Sequence, residues 1–209
     1  MFQILRGMSD ILPEQQHQWL QFYNTAEELV KLFGYSRIDT PIVEKAGLFL
    51  KGVGEVTDIL EKETYTFEDR GGEQLTLRPE GTAPICRAYL EHGMHNLQQP
   101  VRLYYTGQFF RYERPQLGRY RQLHQFGVEV IGDKDSSVDF EVIELGLNLL
   151  ESLGLKNLTL LINSIGDKAC RPNYIEVLRS HYNSSINQLC SDCIRRLEVN
   201  PLRLLDCKE

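Results

Sequence analysis

The chain has 209 residues, of which 42% are hydrophobic and 25% charged, and its formal net charge is −6. This composition is typical of a soluble globular protein with room for one large domain, or for one domain and an appendage. The negative charge argues against nucleic-acid binding through a general positive field, although it is compatible with a local basic patch. No run approaches the ~18 apolar residues of a membrane span, and no signal peptide is visible, so we expect a cytoplasmic protein with no membrane partner.

The first predicted element is an amphipathic helix. From about Pro13 to Phe33, apolar residues recur at every third or fourth position, and Gly34 is placed to end the helix. The next segment, YSRIDTPIVEKAGLF, predicts an extended chain interrupted at Pro41. Because proline removes a donor from a strand ladder, this segment suits a sheet edge or the surface that meets a partner.

A strand, a turn and a second strand follow in YTFED, RGG and EQLTLRPE, with Gly71 and Gly72 supplying the permissive turn. APICRAYLEHG then predicts a helix that ends at Gly93. Glu80 and Thr82 lie between strand and helix, where a carboxylate and a hydroxyl can together hold an amine. Thr82 is also a candidate N-cap of the helix, and the two roles are compatible.

The central feature is a long hairpin formed by YYTGQFFRYE and QLHQFGVEVI. Side chains alternate between the two faces of a strand. Alternation groups the following residues on one face of each strand: Gly107, Phe109, Arg111 and Glu113 on the first, and Gln125, Gly127, Glu129 and Ile131 on the second. If these faces coincide, the hairpin forms the floor of a ligand site, and its two glycines leave room above the backbone.

The loop of this hairpin contributes Arg114, Arg119 and Arg121. Guanidinium groups pair with phosphate oxygens through planar forks of donors. Carboxylates on the floor and arginines in the loop therefore indicate a ligand that carries both an ammonium group and phosphates. The alternative interpretation is a hairpin whose charged side chains simply face solvent.

The remaining elements are predicted as scaffold. SSVDFEVIELGLNLLESLGL predicts a helix with Phe140, Ile143, Leu147 and Leu150 on its apolar face and Gly154 at its end. LTLLIN predicts a short buried strand, and RPNYIEVLRSHY predicts another helix.

Four of the five cysteines come late in the chain: Cys170, Cys190, Cys193 and Cys207. The CSDC segment has the spacing of a zinc knuckle, and four thiolates can close a tetrahedral site. The other spacings are irregular. The sequence therefore favours reduced structural cysteines and no dedicated metal site, with zinc as the alternative.

Five segments resemble, in order, the histidyl-tRNA synthetase family of class II aminoacyl-tRNA synthetases: RGMSDILP, GYSRIDTPIVE (like motif 1), TLRPEGTA, FRYERPQLGRYRQLHQFGVEVIG (like motif 2) and NPLRLLDCK. The resemblance implies an α+β fold with a class II synthetase-like antiparallel β-sheet flanked by helices. It also implies a homodimer built around motif 1. The implied activity is ATP-dependent formation of histidyl-adenylate, followed by transfer of histidine to tRNA(His).

The resemblance also assigns roles to individual residues. Arg111 resembles the catalytic arginine that contacts the α-phosphate, and Glu113 resembles the acid that positions the adenine amino group. Arg119 and Arg121 resemble contributors to ATP phosphate binding, with Mg²⁺ accompanying ATP. The implied histidine-binding set is Glu80, Thr82, Gln125 and Glu129. Leu123 stands where the family commonly has an aromatic residue near adenine, which predicts weaker stacking.

Residues 1–209 resemble only the N-terminal part of the family's catalytic domain, without the motif 3 arginine and the anticodon-binding domain. We therefore expect this part alone neither to form adenylate nor to charge tRNA at a useful rate. The main alternative is the histidine-binding regulatory subunit of ATP phosphoribosyltransferase, which resembles the same fold. Prolyl or threonyl specificity is disfavoured by TLRPEGTA together with GRYRQLHQ.

Overall fold

The computed structural model describes residues 2–52, 63–113, 116, 118–164 and 166–207, so Arg114 of the predicted hairpin loop lies outside the described residues. The chain forms two compact units, Met1–Leu158 and Thr159–Glu209. The first contains α1 (Gln16–Leu32), β1 (Ser36–Arg37), β2 (Val43–Lys45), α2 (Ala46–Gly52), β3 (Tyr65–Glu68), β4 (Gln74–Leu77), α3 (Thr82–Glu91), β5 (Val101–Phe110), β6 (Gln122–Ile131) and α4 (Ser136–Ser152). The second contains α5 (Arg171–Asn183) and α6 (Ser191–Val199).

The first unit has two three-stranded sheets. One has the order β1-β5-β6, in which β5 and β6 are antiparallel and β1 runs parallel to β5. The other has the order β2-β4-β3 and is antiparallel. Helices accompany both sheets, which confirms the predicted α+β class, with one parallel strand pair that the sequence did not indicate.

One core cluster of the first unit lies on one face of the β5–β6 hairpin. Val30 of α1 and Leu145 of α4 pack with Tyr35 and Tyr104, and Phe126, Val128 and Val130 of β6 pack against this cluster. Burial of these apolar side chains is the main driving force that holds both helices on the hairpin. The opposite face of the hairpin carries the residues predicted to bind a ligand.

The predicted helices are present with small shifts. A 3₁₀ turn at Pro13–Gln15 precedes α1, and Gly34 follows this helix with a φ of 77°. The segment after Pro41 is extended only as far as Lys45 and then becomes α2. The prediction of an extended chain is therefore wrong for its last four residues, 46–49.

The predicted apolar face of α4 differs from the buried one. Leu145 and Leu149 are the buried residues of this helix, whereas Phe140 is 65% exposed. The helix is apolar on more than one side, so the spacing of its apolar residues did not decide which side meets the hairpin.

The predicted strand LTLLIN is wrong. Residues 158–163 form no strand, and Leu161 and Ile162 are 88% and 74% exposed. No strand among the described residues pairs with this segment. A short apolar run forms a strand only where a neighbouring strand can pair with it, and the sequence alone does not show whether one is present.

The described part of the chain contains no helix long and apolar enough to cross a membrane.

Candidate functional site

The junction between β4 and α3 positions Glu80 and Thr82. The Glu80 carboxylate accepts hydrogen bonds from the backbone N–H groups of Thr82 (2.6 Å) and Ala83 (2.9 Å). These N–H groups begin the helix and have no partner within it. Glu80 therefore caps α3, and the predicted N-cap role of Thr82 is wrong, because Thr82 is the first helical residue and its hydroxyl bonds elsewhere.

The Thr82 hydroxyl donates to Oε1 of Glu129 on β6, at 2.7 Å. Burial raises the pKa of the Glu129 carboxyl, the hydrogen bond from Thr82 acts in the opposite direction, and the negative charge of Glu80 raises the pKa further. Glu129 is therefore a partly desolvated carboxylate that feels the charge of a second one, Glu80. A bound cation would relieve this cost.

Tyr105 of β5 completes this group, and we call Glu80, Thr82, Tyr105 and Glu129 the acidic pocket. The Tyr105 ring lies between Gly81 and Gly127, where a Cβ on either glycine would overlap it. Burial, and secondarily the charges of Glu129 and Glu80, raises the pKa of Tyr105 to about 12. Its hydroxyl therefore stays protonated at neutral pH and can donate a hydrogen bond.

The space above the hairpin glycines is thus filled by the protein itself, and the expectation that they leave it open is wrong. Tyr105 covers Gly127, and the guanidinium of Arg78 covers Gly107. Sequence reasoning missed Tyr105, although alternation places it on the same strand face as Gly107.

Arg78 is a buried arginine, 8% exposed, that the sequence reading also missed. Its Nε donates to the carbonyl of Gln108 (3.1 Å), and one terminal nitrogen donates to the carbonyl and hydroxyl of Thr40 (2.8 and 3.0 Å). The guanidinium also lies 4.5 Å from the centroid of the Phe109 ring. Arg78 therefore connects the end of β4 to β5 and to the segment before β2.

Gln125 lies directly opposite Gly107 in the β5–β6 register, and Leu103 lies opposite Glu129. The predicted faces therefore coincide within β5 and β6, and Gln125 shares a face with Glu129. Leu123 follows on this face, paired with Phe109. The predicted first strand was too long, because Arg111 and Glu113 lie beyond the end of β5.

Arg111 lies just beyond β5. Its backbone N–H donates to the carbonyl of Arg121, and its Nε donates to the carbonyl of Pro79 at 2.9 Å. The two terminal nitrogens of Arg111 have no hydrogen-bond partner within the described ranges. This leaves a fork of donors, held in place by Pro79, for a phosphate or carboxylate.

The loop residues take different positions. Arg119 is 61% exposed and its terminal nitrogen lies 3.5 Å from the Glu113 carboxylate. Arg121 donates through Nε to the Glu113 carbonyl (3.2 Å) and lies 4.1 Å from the centroid of the Tyr112 ring. The Arg121 backbone N–H also donates to the carbonyl of Gly7 (2.6 Å). Arg121 is therefore held in place, whereas Arg119 is an exposed partner of Glu113.

The β5–β6 hairpin and the β4–α3 junction beside it thus carry two kinds of group. The acidic pocket favours a cation, and the guanidinium groups of Arg111, Arg119 and Arg121 favour anions. The structure brings all eight predicted site residues to the hairpin or to the β4–α3 junction beside it.

Comparison with known sequences identifies one family. The family described as Histidyl-tRNA synthetase matches residues 7–166. A histidine–tRNA ligase of Dehalococcoides mccartyi is 57% identical over 208 residues, which cover 100% of this chain and 50% of that protein. The chain thus spans about half the length of the curated relatives it matches.

Two solved structures are similar to this chain over nearly all of its length. Apo histidyl-tRNA synthetase of S. aureus matches with a TM-score of 0.75 and 44% identity, over 98% of this chain and 48% of that one. A Bacillus halodurans protein described as an ATP phosphoribosyltransferase regulatory subunit/histidyl-tRNA synthetase matches with a TM-score of 0.67 and 28% identity, over 99% and 56% of the two chains.

Proposed function

The chain belongs to the histidyl-tRNA synthetase family, and we propose that residues 1–209 form the N-terminal part of the catalytic domain of a histidine–tRNA ligase. In the proposed reaction of the whole enzyme, the histidine carboxylate attacks the α-phosphate of ATP to form histidyl-adenylate and release pyrophosphate. Histidine is then transferred to tRNA(His), with release of AMP. Its substrates imply a cytoplasmic location. The observation that carries this proposal is the placement of a cation-favouring pocket and an anion-favouring arginine fork at the β5–β6 hairpin and the junction beside it.

In this proposal, histidine occupies the acidic pocket. Its ammonium group meets the carboxylates of Glu80 and Glu129 and the hydroxyl of Tyr105. Gln125, on the same face of β6, has both donor and acceptor atoms and reads the imidazole ring. Thr82 fixes the orientation of Glu129 through its hydrogen bond.

ATP is proposed to lie over the motif 2 hairpin. Arg111 contacts the α-phosphate and stabilises the charge that develops there when the histidine carboxylate attacks. No general base is needed, since that carboxylate is already ionised; the site supplies placement and charge stabilisation. Glu113 positions the adenine amino group, and Arg119 and Arg121 contact the phosphates.

Mg²⁺ is proposed to enter with ATP. Glu80 and Glu129 are assigned to the histidine ammonium group in this proposal, and the Glu113 carboxylate faces Arg119. A magnesium ion is therefore better held by phosphate oxygens than by these residues, as is usual in nucleotide sites. It would neutralise phosphate charge during attack.

The alternative, a histidine-binding regulatory subunit of ATP phosphoribosyltransferase, rests on the Bacillus halodurans structure at 28% identity. The curated histidine–tRNA ligases are much more similar, at 57% and 52%. A chain that binds histidine but not ATP would favour the alternative.

We also propose a homodimer formed through residues 34–44, the segment that resembles motif 1. Ile42 and Val43 are 43% and 40% exposed there. We expect light scattering to give a mass of twice 24.2 kDa, and Ile42→Asp to shift the chain toward monomer, because a buried charge opposes association. Val199→Asp, at an exposed site in the second unit, is the control. A monomeric mass at high concentration would contradict the dimer.

The test of the histidine site is calorimetric titration of the chain with histidine. We expect Glu129→Gln to weaken binding by about 10-fold or more, because an ion pair with the ammonium group is lost while the acceptor for Thr82 remains. Glu28→Gln removes an exposed carboxylate of α1 and should leave binding unchanged. Equal affinity in wild type and Glu129→Gln would show that histidine does not use this pocket.

Glu129→Gln should also change how the stability of the chain depends on pH. Because the folded pKa of Glu129 is raised, the wild type loses stability as pH rises through that pKa, and this loss is absent below the ordinary carboxyl pKa. Glu129→Gln should therefore be the more stable protein at neutral pH, and the difference should vanish in acid. Thermal unfolding at several pH values measures this.

A further inference from the structure

The second unit gathers three of its cysteines in one place. The sulfur atoms of Cys190, Cys193 and Cys207, which we call the thiol cluster, all lie within 4.8 Å of one another. The fourth late cysteine, Cys170, lies outside this cluster, and its sulfur accepts a hydrogen bond from the Asp167 backbone N–H. The four-cysteine site considered from the sequence is therefore reduced to three converging thiols.

The thiol cluster lies at the centre of the small core of this unit. Cys193, Leu197 and Leu204 are its buried cluster, with Tyr182 and Leu189 packed around them. Helix α5 buries no residue completely. A unit this small buries little apolar surface, and such units commonly depend on a disulfide or a structural metal.

The geometry suits a metal better than a disulfide. Zinc–sulfur bonds of about 2.3 Å in a tetrahedron place sulfur atoms about 3.8 Å apart. The Cys190 and Cys207 sulfurs are 4.0 Å apart, and the remaining separations need to shorten by about 1 Å at most. A disulfide would need those two sulfurs at about 2.05 Å.

The three cysteines come from the start of one helix and the end of another. Cys190 is the N-cap residue of α6, and Cys193 lies in the first turn of this helix. Cys207 reaches the same point from the end of the 3₁₀ helix Pro201–Asp206.

We propose that Cys190, Cys193 and Cys207 bind one Zn²⁺ ion, with a water molecule as the fourth ligand, and that this ion stabilises the second unit. Thiolate ligands select zinc over magnesium or calcium, which prefer oxygen. The ion joins the start of α6 to the end of the 3₁₀ helix, the two elements that supply most of this small core.

The test is the metal content of the purified chain, kept reduced and incubated with equimolar Zn²⁺ before desalting. Elemental analysis should find about one zinc per chain for wild type, and close to none for Cys193→Ser. Cys170→Ser, a thiol of the same unit outside the cluster, should retain zinc. Because Cys193 is buried and its replacement can disturb folding, the half-buried Cys190 and Cys207 are also replaced singly, and each change should greatly lower zinc content.

A second readout identifies the ligands directly. Co²⁺ added to the metal-free wild-type chain should produce a thiolate-to-cobalt charge-transfer band, which is lost in the three cluster variants and retained in Cys170→Ser. The proposal would be overturned by a wild-type chain that holds no zinc or by equal zinc contents in all variants. A Co²⁺ spectrum without thiolate bands would also overturn it.

Discussion

Replacing Arg111 with alanine is expected to weaken binding of ATP and magnesium to this chain by about 10- to 100-fold, because a charged hydrogen bond contributes about 1.5–3 kcal/mol. Pro79 fixes the Arg111 guanidinium through Nε, so its terminal nitrogens are oriented before the ligand arrives. Preorganised donors contribute more than mobile ones, since less side-chain entropy is lost on binding. Calorimetric titration with ATP and Mg²⁺ measures the change.

The control for this variant is Arg70→Ala. Arg70 lies in the turn between β3 and β4, at the opposite end of β4 from Pro79, and its replacement changes net charge by the same amount. ATP affinity should be nearly unchanged there. If both variants lose affinity equally, general electrostatic attraction explains ATP binding and the specific role of Arg111 is wrong.

Replacing Arg78 with alanine is expected to lower the free energy of unfolding of the first unit by about 3 kcal/mol or more. The change leaves the Gln108 and Thr40 carbonyls without their donor and opens space against Phe109 and Gly107. Urea unfolding followed by tryptophan fluorescence suits this test, because the single tryptophan, Trp19, lies in α1 of this unit.

Two further variants separate the causes of this loss. Arg78→Lys keeps the charge but not the planar fork, so an intermediate loss is expected. Arg70→Ala removes an exposed arginine of the turn between β3 and β4, and its effect should be below about 1 kcal/mol. A stability loss for Arg78→Ala no larger than for Arg70→Ala would refute the connecting role of Arg78.

Much of the site could be predicted because strand alternation is a strict rule. The β5–β6 hairpin is long enough to show it, and the register places Gln125 opposite Gly107 as the sequence indicated. The ends of α1 and α3 could be predicted as well, because each is followed by a glycine, and both glycines adopt the positive φ that this residue tolerates. The ligand roles of the site residues stay predictions.

The parts that sequence could not predict depend on tertiary contacts. Strand β1 has only two residues, too few to show an alternating pattern of apolar and polar side chains. Its parallel pairing with β5 therefore could not be predicted from the sequence. A glycine in a strand indicates that another group approaches the backbone closely, but not which group. Here Tyr105 lies over Gly127 and Arg78 lies over Gly107. The predicted N-cap role of Thr82 was wrong because its hydroxyl donates instead to Glu129 at 2.7 Å, a contact across 47 residues that no local pattern indicates.

The packing of α1 on the hairpin has a consequence for biosynthesis. The Tyr23 hydroxyl lies 3.3 Å from Nδ1 of His124, 101 residues later in the chain, and the Trp19 ring packs on the same histidine. At about 5–20 residues per second, a ribosome needs roughly 5–20 seconds to make that interval. Helix α1 therefore leaves the ribosome long before the strand that covers its apolar side, and during this time that side is accessible to chaperones.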